Sequence, residues 1–141
     1  MKVLIKRVIE DAKLPSYAHD GDAGMDVYSA EDKLILPGER TLIKTGVCFA
    51  IPKGYVGIVM DKSGIVSKTG LKTVAGVIDS GYRGELQVSL IHLGNEPYEV
   101  KKNMKIAQML VKTVEFPSLE LVESLDETAR GMNGFGSTGL Q

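Results

Sequence analysis

Apolar and polar residues alternate along this chain in short runs, and glycine, proline, aspartate or asparagine parts one run from the next. The runs Val3–Val8, Lys33–Leu36, Arg40–Lys44, Val47–Ile51, Tyr55–Met60, Glu85–Leu93, Ile106–Val114 and Leu119–Glu123 have the length and β-branched content of strands. Pro37-Gly38, Thr45-Gly46, Pro52-Lys53-Gly54 and Gly94-Asn95-Glu96-Pro97 read as turns between them. Many short strands at close spacing predict a sandwich or barrel, not βαβ units. Only the stretch at about Gly64–Thr69, ahead of Gly70, could make a turn or two of helix. From about Asp126 the pattern changes to the glycine-rich ETARGMNGFGSTGLQ, which reads as a flexible arm. One β domain over 1–125 followed by an arm over 126–141 is therefore expected.

Composition narrows the class without altering that picture. Of 141 residues, 43% are hydrophobic and 25% charged, enough to bury the core of one soluble globular domain. The 17 basic and 18 acidic residues leave a formal charge of −1. They are dispersed, with no basic block longer than Lys101-Lys102, so no nucleic-acid partner is expected. Cys48 is the only cysteine, which excludes an intrachain disulfide or a thiolate metal site and favours a reducing, cytoplasmic setting. No run approaches the ~20 apolar residues of a membrane span, and the opening MKVLIKRVIEDAK does not read as a signal peptide. Of the two histidines, His19 and His92, the second sits in an alternating run and reads as a strand residue.

Two motifs invite misreading. Gly134-Phe135-Gly136-Ser137-Thr138-Gly139 has the G-x-G-x-x-G spacing, but the dinucleotide fold needs a helix after it and an acid ~20 positions on. Its physical content remains: glycines let backbone amides approach a polyphosphate, with the hydroxyls of Ser137 and Thr138 and the guanidinium of Arg130 as further donors. A glycine tail without a ligand is the alternative. Asp20 to Asp26 loosely resembles a calcium loop, yet Met25 stands where that loop needs glycine and Gly24 offers no side-chain oxygen.

Five patterns carry more weight: Ala23-Gly24-Met25-Asp26-Val27; Asp61-Lys62-Ser63-Gly64; Gly76-Val77-Ile78-Asp79-Ser80-Gly81-Tyr82-Arg83-Gly84-Glu85; Lys105-Ile106-Ala107-Gln108; and Arg130-Gly131-Met132-Asn133-Gly134-Phe135-Gly136-Ser137-Thr138-Gly139. In this order, spanning residues 23–139, they resemble the homotrimeric dUTPase family. The resemblance implies a distorted jelly-roll β-barrel with at most one short helix, and a C-terminal arm exchanged within a trimer whose sites lie at subunit interfaces. It also implies Mg²⁺-assisted hydrolysis of dUTP to dUMP and pyrophosphate, which keeps uracil out of DNA and supplies dUMP for thymidylate synthesis.

Gly76 to Glu85 reads as a β-hairpin turning at Ser80-Gly81. By resemblance, the backbone of Gly76, Val77 and Ile78 takes uracil and leaves no space for a 5-methyl group, while Tyr82 packs under the deoxyribose. Asp79 is then the expected general base, orienting water in line with the α-phosphorus, a role typically worth ~10²–10⁴-fold. On the residues alone, Asp79 also reads as an ordinary turn aspartate. Asp26 faces either solvent or a site, and by resemblance it helps hold the hydration shell of Mg²⁺. Lys62, Ser63 and Gly64 open the possible helix and are expected to bind phosphate, with Ser63 also fitting a helix cap. Gln108 lies in an apolar run and needs partners, a phosphate oxygen or the backbone. By resemblance Arg130, Gly136, Ser137 and Thr138 take phosphates and Phe135 closes over the uracil.

Three departures from the family pattern stand out. Lys62 replaces the usual arginine, losing bidentate geometry. Thr73 stands where several relatives have an asparagine, and Met132 and Asn133 interrupt a glycine-rich stretch. A dCTP deaminase shares the expected fold, but Gln87-Val88-Ser89-Leu90 lacks the acid such an enzyme needs. A non-catalytic nucleotide-binding relative is the remaining alternative, against which stands the set Asp26, Ser63, Asp79, Tyr82, Gln108 and Arg130.

Overall fold

The computed structural model describes residues 1–134. Within them run β1 (Leu4–Arg7), β2 (Met25–Tyr28), β3 (Lys33–Ile35), β4 (Arg40–Ala50), β5 (Tyr55–Met60), α1 (Ser63–Thr69), β6 (Leu71–Thr73), β7 (Val77–Ile78), β8 (Glu85–His92), β9 (Tyr98–Val100) and β10 (Lys105–Thr113). The strands form antiparallel sheets in the orders β1-β4-β8-β6 and β2-β10-β5-β7, with β3-β9 as a separate pair. This is the all-β, jelly-roll-like architecture expected, with one short helix among the described residues. No helix there is long and apolar enough to cross a membrane.

Period-two patterning explains the layering. Along β8, Leu86, Val88, Leu90 and His92 are buried while Gln87 is exposed. They meet Ile43, Val47 and Phe49 of β4 and, from the second sheet, Val27, Val59, Ala107 and Met109. Each large aliphatic side chain so buried contributes roughly 1.5–3 kcal/mol. Thr45 also points inward and donates its hydroxyl to the Leu86 carbonyl at 2.6 Å, so its polarity is satisfied. Helix α1 begins after Lys62 and stops at Gly70, whose φ of 72° ends the helical path. A side chain at Gly70 would also meet the Gly94 backbone at 2.5 Å.

Three expectations are corrected. Thr45-Gly46 is no turn: β4 runs through it, and the register with β8 slips between Lys44 and Cys48. Gly46, at φ 71° and packed where a Cβ would lie 2.6 Å from the Ala12 side chain, makes this a bulge inside one long strand. Leu119–Glu123 forms no strand; Leu119 and Leu121 are 96% and 100% exposed, because nothing in the described chain pairs with them. Finally, Gly76 to Glu85 is not a two-stranded hairpin. Strand β7 pairs with β5, whereas β8 pairs with β4 and β6, so this segment crosses from one sheet to the other. The turn within it is as expected, with the Tyr82 amide donating to the Asp79 carbonyl at 3.0 Å.

Candidate active site

Strands β2, β10 and β5 lie side by side, and their registers set Asp26 opposite Gln108 and Gln108 opposite Met60. Opposed residues share a face, so two of the five sequence patterns meet on one row. A third joins it through Lys62, two positions past Met60. Asp26 is 2% exposed. Its Oδ1 accepts from Lys62 Nζ at 2.5 Å, and Lys105 Nζ stands 2.6 Å from Oδ2. Oδ2 makes no conventional hydrogen bond, so Lys105 meets it as a charge partner. Burial pushes the Asp26 carboxyl up, but the close ammonium groups of Lys105 and Lys62 outweigh it and hold the group below its ordinary value. The same carboxylate pushes the Lys105 ammonium up.

Lys105 reaches Asp26 because of a bulge. Between Lys105 and Ala107 the β10–β2 ladder slips by one, with Ile106 as the extra residue. In an unbroken ladder Lys105 would oppose Ser29, on the other face from Asp26. The slip places it opposite Tyr28, on the Asp26 side. Sequence reasoning gave Lys105 no role, since a lysine at a strand end reads as a solvated residue; its place in the fourth pattern was the available signal.

Gln108 Nε2 donates to the Asp61 carbonyl at 2.8 Å. Its Oε1 lies where a side chain at Gly24 would come within 2.5 Å, so the glycine of the first pattern makes room for the amide of the fourth. Asp61, which also had no assigned role, ties the row to β6. Its Oδ1 accepts from the Thr73 amide and hydroxyl, both at 2.7 Å, and its Oδ2 from Lys72 at 2.5 Å. Burial raises the Asp61 carboxyl, and the bonds from Lys72 and Thr73 more than offset this and lower it. Both Thr73 donors are thereby spent on Asp61. The helix cap is Lys62, without a side-chain cap bond, and Ser63 is the first helical residue, so Ser63 does not cap α1.

The Asp79 end is built differently. Gly76 lies against β5, its carbonyl accepting from the Val59 amide at 2.7 Å, and a Cβ there would sit 2.3 Å from the Val59 carbonyl oxygen. Val77 and Ile78 continue as β7. Arg83 donates to the Ser80 and Tyr82 carbonyls at 2.7 and 2.8 Å, closing the turn. Tyr82 bonds the Glu85 carbonyl at 2.9 Å, its ring lying over Gly84, where a side chain would collide with it. Asp79 itself is exposed. It follows Ile78, the partner of Gly57, while Gln108 pairs with Met60. Four positions along and two strands across put the Asp79 and Gln108 Cα atoms roughly 16 Å apart, with Asp26 at roughly 20 Å. One chain therefore does not bring Asp79 together with Asp26, Lys62 and Gln108.

Arg130 is exposed and donates to the Asn133 carbonyl at 2.9 Å. No hydrogen bond among the described residues joins it to either cluster. Phe135, Gly136, Ser137 and Thr138 lie outside the described residues. As for a metal, no group of three or more His, Cys, Asp or Glu among the described residues could cage one. Asp26 presents one carboxylate, whose Oδ2 lies 2.6 Å from Lys105 Nζ and lacks a conventional hydrogen bond. One hard carboxylate reached through the ion's own waters fits Mg²⁺, which keeps several waters and needs few protein ligands.

Comparison with known proteins bears on this geometry. A family model described as dUTPase matches residues 10–139. The deoxyuridine 5'-triphosphate nucleotidohydrolase of Clostridium tetani is 47% identical over 137 residues, covering 96% of this chain and 94% of the relative. The structure of the dUTPase of Staphylococcus bacteriophage 80α with dUpNHpp superposes with a TM-score of 0.93 at 31% identity, covering 99% of each chain. A point mutant of the phage φ11 dUTPase of S. aureus, solved to describe coordination of a structural Mg(II) ion, gives 0.85 at 29%, covering 90% of this chain and 100% of that one.

Proposed function

The chain belongs to the dUTPase family, and from that premise we propose that it hydrolyses dUTP to dUMP and pyrophosphate, with Asp79 orienting the attacking water. The water oxygen bonds to the α-phosphorus as the bridging α–β oxygen departs with pyrophosphate, and the proton released passes to the Asp79 carboxylate. The backbone of Gly76, Val77 and Ile78 reads uracil, and the Tyr82 ring packs beneath the deoxyribose. Lys62, Ser63, Gly64, Gln108 and Arg130 take the phosphates. Residues 1–125 form the barrel, and 126–141 the arm that brings Phe135 over the base and Gly136, Ser137 and Thr138 to the phosphates. Mg²⁺, when bound, neutralises developing charge on phosphate oxygens, and Asp26 would hold it through water.

The reading is supported above all by the row that gathers Asp26, Lys62 and Gln108, residues up to 82 positions apart, onto one face. The separation of roughly 16–20 Å between that row and Asp79 favours a homotrimer in which one protomer supplies Asp79 and its neighbour the phosphate-binding row. The exposed Leu119 and Leu121 favour the same assembly, since contiguous apolar exposure on an unpaired segment calls for a partner surface. Unpaired Cys48 fits a reducing, cytoplasmic setting.

A pyrophosphate-release assay with dUTP, UTP, dTTP and dCTP in Mg²⁺ tests the reading. The wild type is expected to turn over dUTP selectively, and Asp79→Asn to lose ~10²–10⁴-fold in kcat. Ammonia release from dCTP would point to the deaminase instead.

A further inference from the structure

Asp26 is one buried acid held by two lysines. For a structural ion pair, a single lysine would suffice, and the second requires a bulge in β10 to reach the correct face. The proposed function gives the first lysine another task, because Lys62 is to meet substrate phosphate. Were Lys62 its only partner, moving it would strand a carboxylate that is 2% exposed, a costly state for a buried charge. Lys105 meets the other oxygen and is 44% exposed along its side chain, with its backbone in β10.

We propose that Lys105 is a positioning residue that holds Asp26 by its second oxygen, so that Lys62 is free to leave Asp26 for a phosphate of the substrate. The proposal rests on the reading above, in which Lys62 is a phosphate ligand. It gives the bulge at Ile106 a purpose: to keep Lys105 on the face of Asp26 while Gln108, two residues past the bulge, stays opposite it. Lys105 acts on the phosphate through Asp26 and Lys62 and does not touch it.

The test is a set of titrations in metal-free buffer, with dUpNHpp by calorimetry and deoxyuridine by NMR, on the wild type, Lys105→Met, Lys105→Arg, Lys62→Met and the double variant. Lys112→Met, at an exposed position on the same strand, removes equal charge elsewhere. Lys105→Met is expected to weaken dUpNHpp roughly tenfold, as coupled charged neighbours do, and to leave deoxyuridine binding within about twofold. Lys105→Arg should recover to within about threefold, and Lys112→Met should stay within about twofold of the wild type. Once Lys62 is Met, removing Lys105 should cost under about twofold more.

Full additivity in the double variant would overturn the proposal, since Lys105 would then contact the phosphates itself. So would a loss shared equally by Lys112→Met, which marks bulk charge, or by deoxyuridine, which marks a structural role. A wild type that binds no dUpNHpp would sink the proposed function along with it. Tight binding with additive losses would sink only the role of Lys105.

Discussion

At one end of the β2-β10-β5-β7 sheet, an aspartate 2% exposed is gripped by two lysines, with Gln108 opposite it bonded to the Asp61 carbonyl. At the other end, Asp79 is exposed, its carbonyl closes a turn, and the groups around it bond to one another's backbone. The first arrangement is complete within one chain: registers, a bulge and Gly24 over-determine each atom. The second is rigid in its backbone but open in its surroundings. A buried charge must be compensated where it stands, so the row of Asp26, Lys62 and Gln108 is assembled on folding. An exposed carboxylate bears no such demand, and its functional neighbours can arrive with substrate or with another protomer.

Several changes break or sharpen this contrast. The largest effect is expected from deleting residues 130–141, which should cut pyrophosphate release by roughly 10²–10³-fold or more, a loss typical of removing aligned phosphate donors. The thermal unfolding midpoint should stay in place, because none of residues 130–134 is buried. Gly76→Ala comes next: with a Cβ 2.3 Å from the Val59 carbonyl, β7 must shift, at a cost of about 3 kcal/mol in urea unfolding.

Asp61→Asn should cost about 1.5 kcal/mol at neutral pH, because Lys72 and the two Thr73 donors lose a charged acceptor. The Asp61 carboxyl is lowered from 3.8, so its stabilisation is fully present above that value and is lost as pH falls through the lower folded one. Wild type and variant should therefore converge in stability below pH ~4. Tyr82→Phe is the mildest, removing one solvent-exposed bond to the Glu85 carbonyl and about 0.5 kcal/mol.

Much of the scaffold was legible in the sequence because burial imposes period two. Glu85–His92, Tyr55–Met60 and the stretch ending at Gly70 fell where alternation and glycine put them. Errors arose where the deciding partner is distant. Gly46 reads as a turn locally, and only its packing against Ala12 makes it a bulge. Ser80-Gly81 does turn the chain, yet nothing local says that β7 and β8 join different sheets. The three-residue strands β6 and β9 are too short for alternation to register. Asp26, Asp79 and Gln108 were legible as motif residues, whereas the tie of Lys105 to Asp26 depends on a register slip that no local pattern encodes.

The central claim is that the Asp26 row and the Asp79 turn are halves of one site contributed by different protomers. Mixing two inactive variants tests it directly: Asp79→Asn, and the double variant Lys62→Met with Gln108→Ala, co-refolded in equal amounts. Where a site takes Asp79 from one protomer and the row from its neighbour, random mixing leaves about a quarter of sites intact, so about a quarter of wild-type dUTP turnover should return. If both halves belong to the same chain, the mixture will be as inactive as its components.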